Sequence, residues 1–151
     1  MLNSLKSKVE KGLSEMKSMD IHKAGGVLIK NRRLLVTRAL GKEIFVAPGG
    51  KLETGETAVQ AIVREMTEEV QVTVNPDTLE TLGTFRALAA GQESKVVEME
   101  VFIIKDAVGE PTPSSEIEEI LWVNSQTKDV QLGSIFEHDV IPLLKQQDLI
   151  D

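Results

Sequence analysis

The chain has 151 residues, the length of one domain and enough to bury a full core. Its 24 acidic side chains outnumber 17 basic ones, and the net charge of -7 argues against unspecific binding to nucleic acid polymers or anionic membranes. With no cysteine a disulfide framework and a thiolate metal site are excluded, and no run reaches the roughly 18 apolar residues of a membrane span, so the expectation is a cytoplasmic protein.

In residues 1–19, Leu2, Leu5, Val9, Leu13 and Met16 recur at helical spacing among Lys, Ser and Glu. This predicts an amphipathic helix or tail whose stripe packs on the domain or on the second subunit of a homodimer. Mixed charge and the lack of an aromatic anchor argue against a membrane-surface helix. From His22 the pattern turns to strands: Lys23 to Ile29, a turn at Asn31-Arg32-Arg33, Leu34 to Arg38 as the second arm of a hairpin, and Glu43 to Ala47 leading into Pro48. Arg38 and Lys42 are cations able to meet phosphates or to stay in solvent, and both His22 and His138 read as surface or structural residues. Pro48, Gly49, Gly50 and Gly55 form a loop whose backbone can approach a ligand, because glycine has no Cβ.

Thr57 with Gln60 three residues on has the capping-box spacing of a helix start. In that helix Val59, Ile62, Val63, Met66 and Val70 share one face, while Glu65, Glu68 and Glu69 share another at i, i+3, i+4. Like charges at that spacing each cost roughly 0.2 to 0.5 kcal/mol, and the negative helix end adds roughly 0.3 to 1 kcal/mol against anions. A hard divalent cation such as Mg2+ or Mn2+ supplies the missing compensation; a solvated acidic face is the bland alternative.

Val70 to Val74 reads as a strand ending at Asn75-Pro76-Asp77. Leu82 to Leu88 and Val96 to Lys105 are two more strands, separated by the polar segment Ala89 to Lys95. In the second, Val97, Met99 and Val101 alternate with Glu98 and Glu100, giving one buried face and one that is wet or lines a site. Gly109 to Pro113 is a loop, and Ser115 to Val123 ends as a strand. Ser134 with Glu137 repeats the capping-box spacing before a helix carrying Phe136, Val140, Leu143 and Leu144, which Pro142 kinks or reframes. Strands on both sides of an acid-rich helix, with a terminal helix, indicate a layered α/β (α+β) domain over residues 20–151.

Gly50, five residues, Glu56, seven residues, then Arg64-Glu65-Met66-Thr67-Glu68-Glu69-Val70-Gln71-Val72 resembles the Nudix box, G-x5-E-x7-R-E-U-x-E-E-x-G-U, where U is a bulky aliphatic residue. Gln71 stands where the family has glycine. The six matching Gly, Glu and Arg identities arise by chance with a probability on the order of one in ten million per starting position. The resemblance implies a Nudix fold, a mixed β-sheet sandwiched between α-helices. It also implies a MutT-like Nudix hydrolase, a pyrophosphohydrolase using Mg2+ or Mn2+ on a small nucleotide rather than a nucleic acid polymer.

By position in the family pattern, Glu65, Glu68 and Glu69 with the Gly50 carbonyl are metal ligands, and Glu65, Glu69 and Glu116 are catalytic carboxylates. Glu116 is the first choice for a glutamate from the later loop and Glu119 the second; Gly50, Glu56 and Arg64 brace the motif, while Arg38, Lys42 and Phe45 are candidates for substrate binding. Phe45, Phe85 and Trp122 are able to stack on a base or pack in the core. No tyrosine is present, and the downstream proline of many ADP-ribose hydrolases is missing, so elimination favours a (d)NTP or modified nucleotide, cut to nucleoside monophosphate and pyrophosphate. ADP-ribose or another nucleotide sugar is the alternative substrate. A Nudix-fold nucleotide-binding or regulatory module without turnover is the alternative class, for which Gln71 is the one argument within the box.

Overall fold

The computed structural model describes residues 20–89 and 92–151; the amphipathic segment expected at 1–19 lies outside the described residues. The elements run β1 (Ile21–Val27), β2 (Ile29–Lys30), β3 (Arg33–Ala39), β4 (Gly49–Lys51), α1 (Ala58–Val70), β5 (Thr73–Val74), β6 (Glu80–Ala89), β7 (Gln92–Ile103), β8 (Ala107–Val108), β9 (Ile117–Val123) and α2 (Ile141–Gln146). One sheet has the order β4-β1-β7-β6, with β1 parallel to β7 and antiparallel to β4, and a second has the order β2-β3-β9. A two-residue ladder joins β5 to β8.

Alternate strand residues feed two separate cores, which is why the strands read as apolar runs. Val27, Leu34, Val36, Val101 and Val123 pack with Phe136, Val140 and Leu144 beside α2. Their sequence neighbours Leu35 and Phe102 pack instead with Ile62, Met66 and Val70 of α1. Sheets covered by a helix on each side are the α+β architecture that the sequence predicts.

Several boundaries differ from expectation. The predicted hairpin shrinks to β2 and β3, closed by positive φ at Asn31 (53°) and Arg32 (62°), whereas most of the first run is β1 and pairs elsewhere. Glu43 to Ala47 forms only isolated bridges, Thr37 to Val46 and Phe45 to Leu132. Of the glycines expected in a loop, Gly55 sits in a turn at φ 78°, but Gly49 and Gly50 form β4, where a Cβ on Gly49 would lie 2.0 Å from the Ala24 carbonyl oxygen. Helix α1 continues to Val70, so the strand expected from there begins only at Thr73. Ser134 makes no cap; Phe136–Val140 is a π turn, and the Ile141 amide bonds the Phe136 carbonyl. Pro142, which lacks an amide hydrogen, then sits in the first turn of α2, so it does reframe the helix.

Helix α1 starts as its sequence dictates. The Thr57 hydroxyl accepts from the Gln60 amide at 3.1 Å and the Gln60 side chain accepts from the Thr57 amide at 2.9 Å. It stops at Gln71, left-handed at φ 58° and ψ 34°, whose amide reaches the Met66 and Thr67 carbonyls. A non-glycine residue in that conformation costs on the order of 1 kcal/mol, which the closed helix end absorbs. Gln71→Gly is therefore expected to change the unfolding free energy by about 1 kcal/mol or less. Urea denaturation of both proteins measures it, and a loss well above that value would show that the glutamine side chain holds the turn.

Candidate active site

Glu65 and Glu69 are four residues apart on α1, on the face that meets β4, and are only 9% and 5% exposed. The Gly49 amide donates to Glu69 Oε1 at 2.7 Å, and a Cβ on Gly50 would come within 2.9 Å of Glu65 Oε1. Two adjacent glycines thus let β4 approach the carboxylates as closely as backbone can. Glu116 comes from the loop ahead of β9. That loop is pinned to the end of α1 by the Thr112 amide on the Val70 carbonyl and the Ser114 amide on the Glu69 carbonyl, each at 2.9 Å. One oxygen each from Glu65, Glu69 and Glu116 lies within 4.8 Å of the others.

Burial pushes the Glu69 carboxyl up to about 8, in spite of the Gly49 amide, with Glu65 and Glu116 adding repulsion. Glu65 is also raised by burial, against the pull of Arg64. Glu116 is held below the usual carboxylate range by the Ser115 hydroxyl. Three carboxylates this close cannot all carry charge without a counter-ion. Two buried and one exposed hard oxygen donor fit a divalent cation.

Glu68 stands apart from that group. Its half-exposed carboxylate lies 3.2 Å from Arg64 Nη1. Arg64 also holds Glu56 in a fork, with both nitrogen to oxygen distances 2.8 Å, and Glu65 at 2.6 Å. That fork, followed by the Glu53 amide, draws Glu56 down to about 2. Glu56 and Arg64 thus clamp the loop after β4 to α1 and orient Glu65.

Beside Glu69 opens a cavity of about 550 Å³, with Lys23, Thr37, Lys42, Ile44 and Gln131 on its walls. Lys42, a candidate for substrate binding, is thus on the cavity wall. Arg38 is committed elsewhere, to Glu118, Glu119 and the Lys42 carbonyl, with its guanidinium 5.8 Å above the Phe45 ring. Phe45 is 7% exposed and packs in the core, as do the partly buried Phe85 and Trp122. His22 pairs with Glu100 at 2.5 Å, a structural role. Lys23 and Gln131 also line this cavity and are not among the candidates read from sequence; the available signal for Lys23 is a lysine in a largely apolar strand, where burial lowers its pKa.

Fold and site together define an α+β protein in which a cluster of three glutamates, able to hold a divalent cation, faces a cavity. The NUDIX domain model matches residues 20–136, and the chain belongs to that family. An oxidized purine nucleoside triphosphate hydrolase of Danio rerio is 39% identical over 69 residues, 46% of this chain and only 42% of that protein. Among solved structures, a MutT NUDIX hydrolase from Burkholderia pseudomallei aligns with TM-score 0.67 and 21% identity, over 83% of this chain and 96% of that one. The MutT protein from Methanosarcina mazei Go1 aligns with TM-score 0.68 and 20% identity, over 85% and 94%. At that identity the structures establish the fold. No helix among the described residues is long and apolar enough to cross a membrane.

Because Arg64 depresses the Glu56 carboxyl, the ion pair stabilises the fold fully above the ordinary glutamate value of roughly 4.3. The contribution disappears as pH falls through about 2. Wild type should therefore exceed Glu56→Gln in urea midpoint at pH 7, with the gap narrowing steadily below about pH 4. A gap unchanged down to pH 2.5 would mean that the fork contributes nothing to folding.

Proposed function

We propose that the chain is a metal-dependent pyrophosphohydrolase that cleaves a nucleoside triphosphate, ordinary, deoxy or modified, to nucleoside monophosphate and pyrophosphate. The observation that carries this reading is the convergence of Glu65, Glu69 and Glu116 within 4.8 Å beside the cavity that Glu69 lines. Similarity over 69 residues to an oxidized purine nucleoside triphosphate hydrolase supports a triphosphate over a nucleotide sugar. Ile44 and Val46 offer the cavity an apolar wall of the kind a base requires.

Glu65, Glu69 and Glu116 would hold the cation, with the Gly50 carbonyl and a Glu68 released from Arg64 as further ligands implied by the family pattern. When bound, Mg2+ or Mn2+ neutralises phosphate charge and makes a coordinated water more acidic. Lys42 and Lys23 reverse locally the repulsion that a chain of net charge -7 exerts on a polyphosphate. Water attacks phosphorus, the anhydride P–O bond breaks, and pyrophosphate leaves with the bonding electron pair. Of the two candidates for general base, Glu65 and Glu116, we assign the water's proton to Glu65, because burial raises its pKa while Glu116 is held low. Arg38 works indirectly: its bond to the Lys42 carbonyl fixes the loop that presents Lys42.

Turnover is expected only with a divalent cation, and Glu69→Gln should lower kcat at least about a hundredfold. The assay is a panel of nucleoside di- and triphosphates, ADP-ribose, NADH and dinucleoside polyphosphates with Mg2+ or Mn2+, products being identified. Full activity in EDTA, or a near wild-type rate in the variant, would remove Glu69 from the chemistry. Nucleotide binding with no product from any compound would make the chain a binding module.

A further inference from the structure

We propose that Arg38 is a positioning residue for the cation centre: by pinning the β-bulge where β9 meets β3, it sets the face on which Glu116 projects. This role rests on the reading of Glu116 as a cation ligand. By sequence Arg38 is a candidate to meet substrate, yet its guanidinium already has its partners within the chain.

Strands β3 and β9 keep a regular antiparallel register from Leu34 with Val123 to Arg38 with Glu119, and then the register breaks, because Ala39 pairs with Ile117. Glu118 is the extra residue. Adjacent side chains of a regular strand point to opposite faces, but at this bulge Glu118 and Glu119 both reach Arg38, at 3.0 Å from Nη1 and 3.2 Å from Nη2. Nη1 also donates to the Lys42 carbonyl at 3.0 Å. One guanidinium, with its donors in a rigid plane, thus holds both carboxylates of the bulge against the loop after β3.

Glu116 stands two residues before the bulge. Were the extra residue taken up into regular pairing, Ala39 would face Glu118, and the residues of β9 ahead of it would each shift one place and change face. Ile117, now 7% exposed, would turn outward, and Glu116 would turn away from Glu65 and Glu69. The Leu40 amide also bonds the Glu116 carbonyl at 2.8 Å, but that is a backbone contact of a kind a slipped strand can remake. The fork on Glu118 and Glu119 is specific to the bulged register. Burial of Ile117 favours the same register, so loss of Arg38 should loosen Glu116 without unfolding β9.

Mn2+ titration of the full chain, followed by electron paramagnetic resonance with no nucleotide present, tests this in wild type, Arg38→Met, Glu116→Gln and the double variant. By charge alone, removing a guanidinium would make Mn2+ bind no worse, so a weakening reports geometry. Arg38→Met should weaken binding at least about tenfold, as expected on losing a group that orients a metal ligand. Added to Glu116→Gln, the same change should cost less than about twofold more, because the residue through which it acts is already gone. Arg38→Lys keeps the charge but not the planar fork; it should weaken binding at least about threefold, and it carries the test if Arg38→Met fails to fold. Unchanged or tighter binding in either Arg38 variant, or a loss that recurs in full beside Glu116→Gln, would overturn the proposal and leave the hydrolase reading in place. Unchanged binding in Glu116→Gln, or no Mn2+ binding by wild type, would remove the cation reading and the role of Arg38 with it.

Discussion

Two carboxylates removed from water on one helix face set the terms for the structure around them. Desolvation of Glu65 and Glu69 is a cost that a fold tolerates only when other groups answer it. The answers here come from separate parts of the chain. Gly49 gives its amide to Glu69, Arg64 gives a guanidinium to Glu65, and the loop before β9 brings in Glu116 rather than a lysine. The compensation stays partial, since Glu69 still stands near 8. A site left in this condition has room for the charge of a cation.

The backbone bears part of that arrangement. Gly49 adopts φ 151° and leaves no room for a Cβ against Ala24, so the close approach of β4 to β1 and the amide offered to Glu69 are one constraint. Arg64 shows a parallel economy: one guanidinium fastens the loop through Glu56, orients Glu65 and keeps Glu68 occupied. The same side chain that stabilises the motif also holds one of its glutamates aside.

What could be read from sequence follows the range of the forces involved. The capping box at Thr57 and the i, i+4 alignment of Glu65 with Glu69 are local helix geometry, and both stand in the structure. The layered α+β class followed from which runs alternate. The sharing of one site by Glu65, Glu69 and Glu116, with Glu68 turned to Arg64, depends on which side of α1 meets β4 and on a loop tied to the helix end. Neither is encoded in spacing. Gly49 and Gly50, expected to let backbone approach a ligand, approach β1 and so form β4. Arg38 is taken by Glu118 and Glu119 and Phe45 by the core, which no single-residue reading reveals. Lys23 escaped notice because its apolar surroundings are assembled from β1, β6, β7 and the segment before α2.

The π turn at Phe136–Val140 ties chain length to the shape of the cavity. It holds one residue more than an α-helix would over the same rise, and Phe136, at its start, is 1% exposed with its ring tip 3.4 Å from where a Gly25 side chain would begin. Regular winding of the same residues would rotate everything upstream by about 100° relative to α2, whereas the wide turn absorbs the extra residue. That rotation would carry Phe136 off β1 and open the apolar pocket beside Lys23. Glu137, His138 and Asp139 face solvent, so their side chains are open to exchange. In this segment mutational drift can rewrite the solvent-facing letters, while the wide turn keeps the extra residue from twisting Phe136 away.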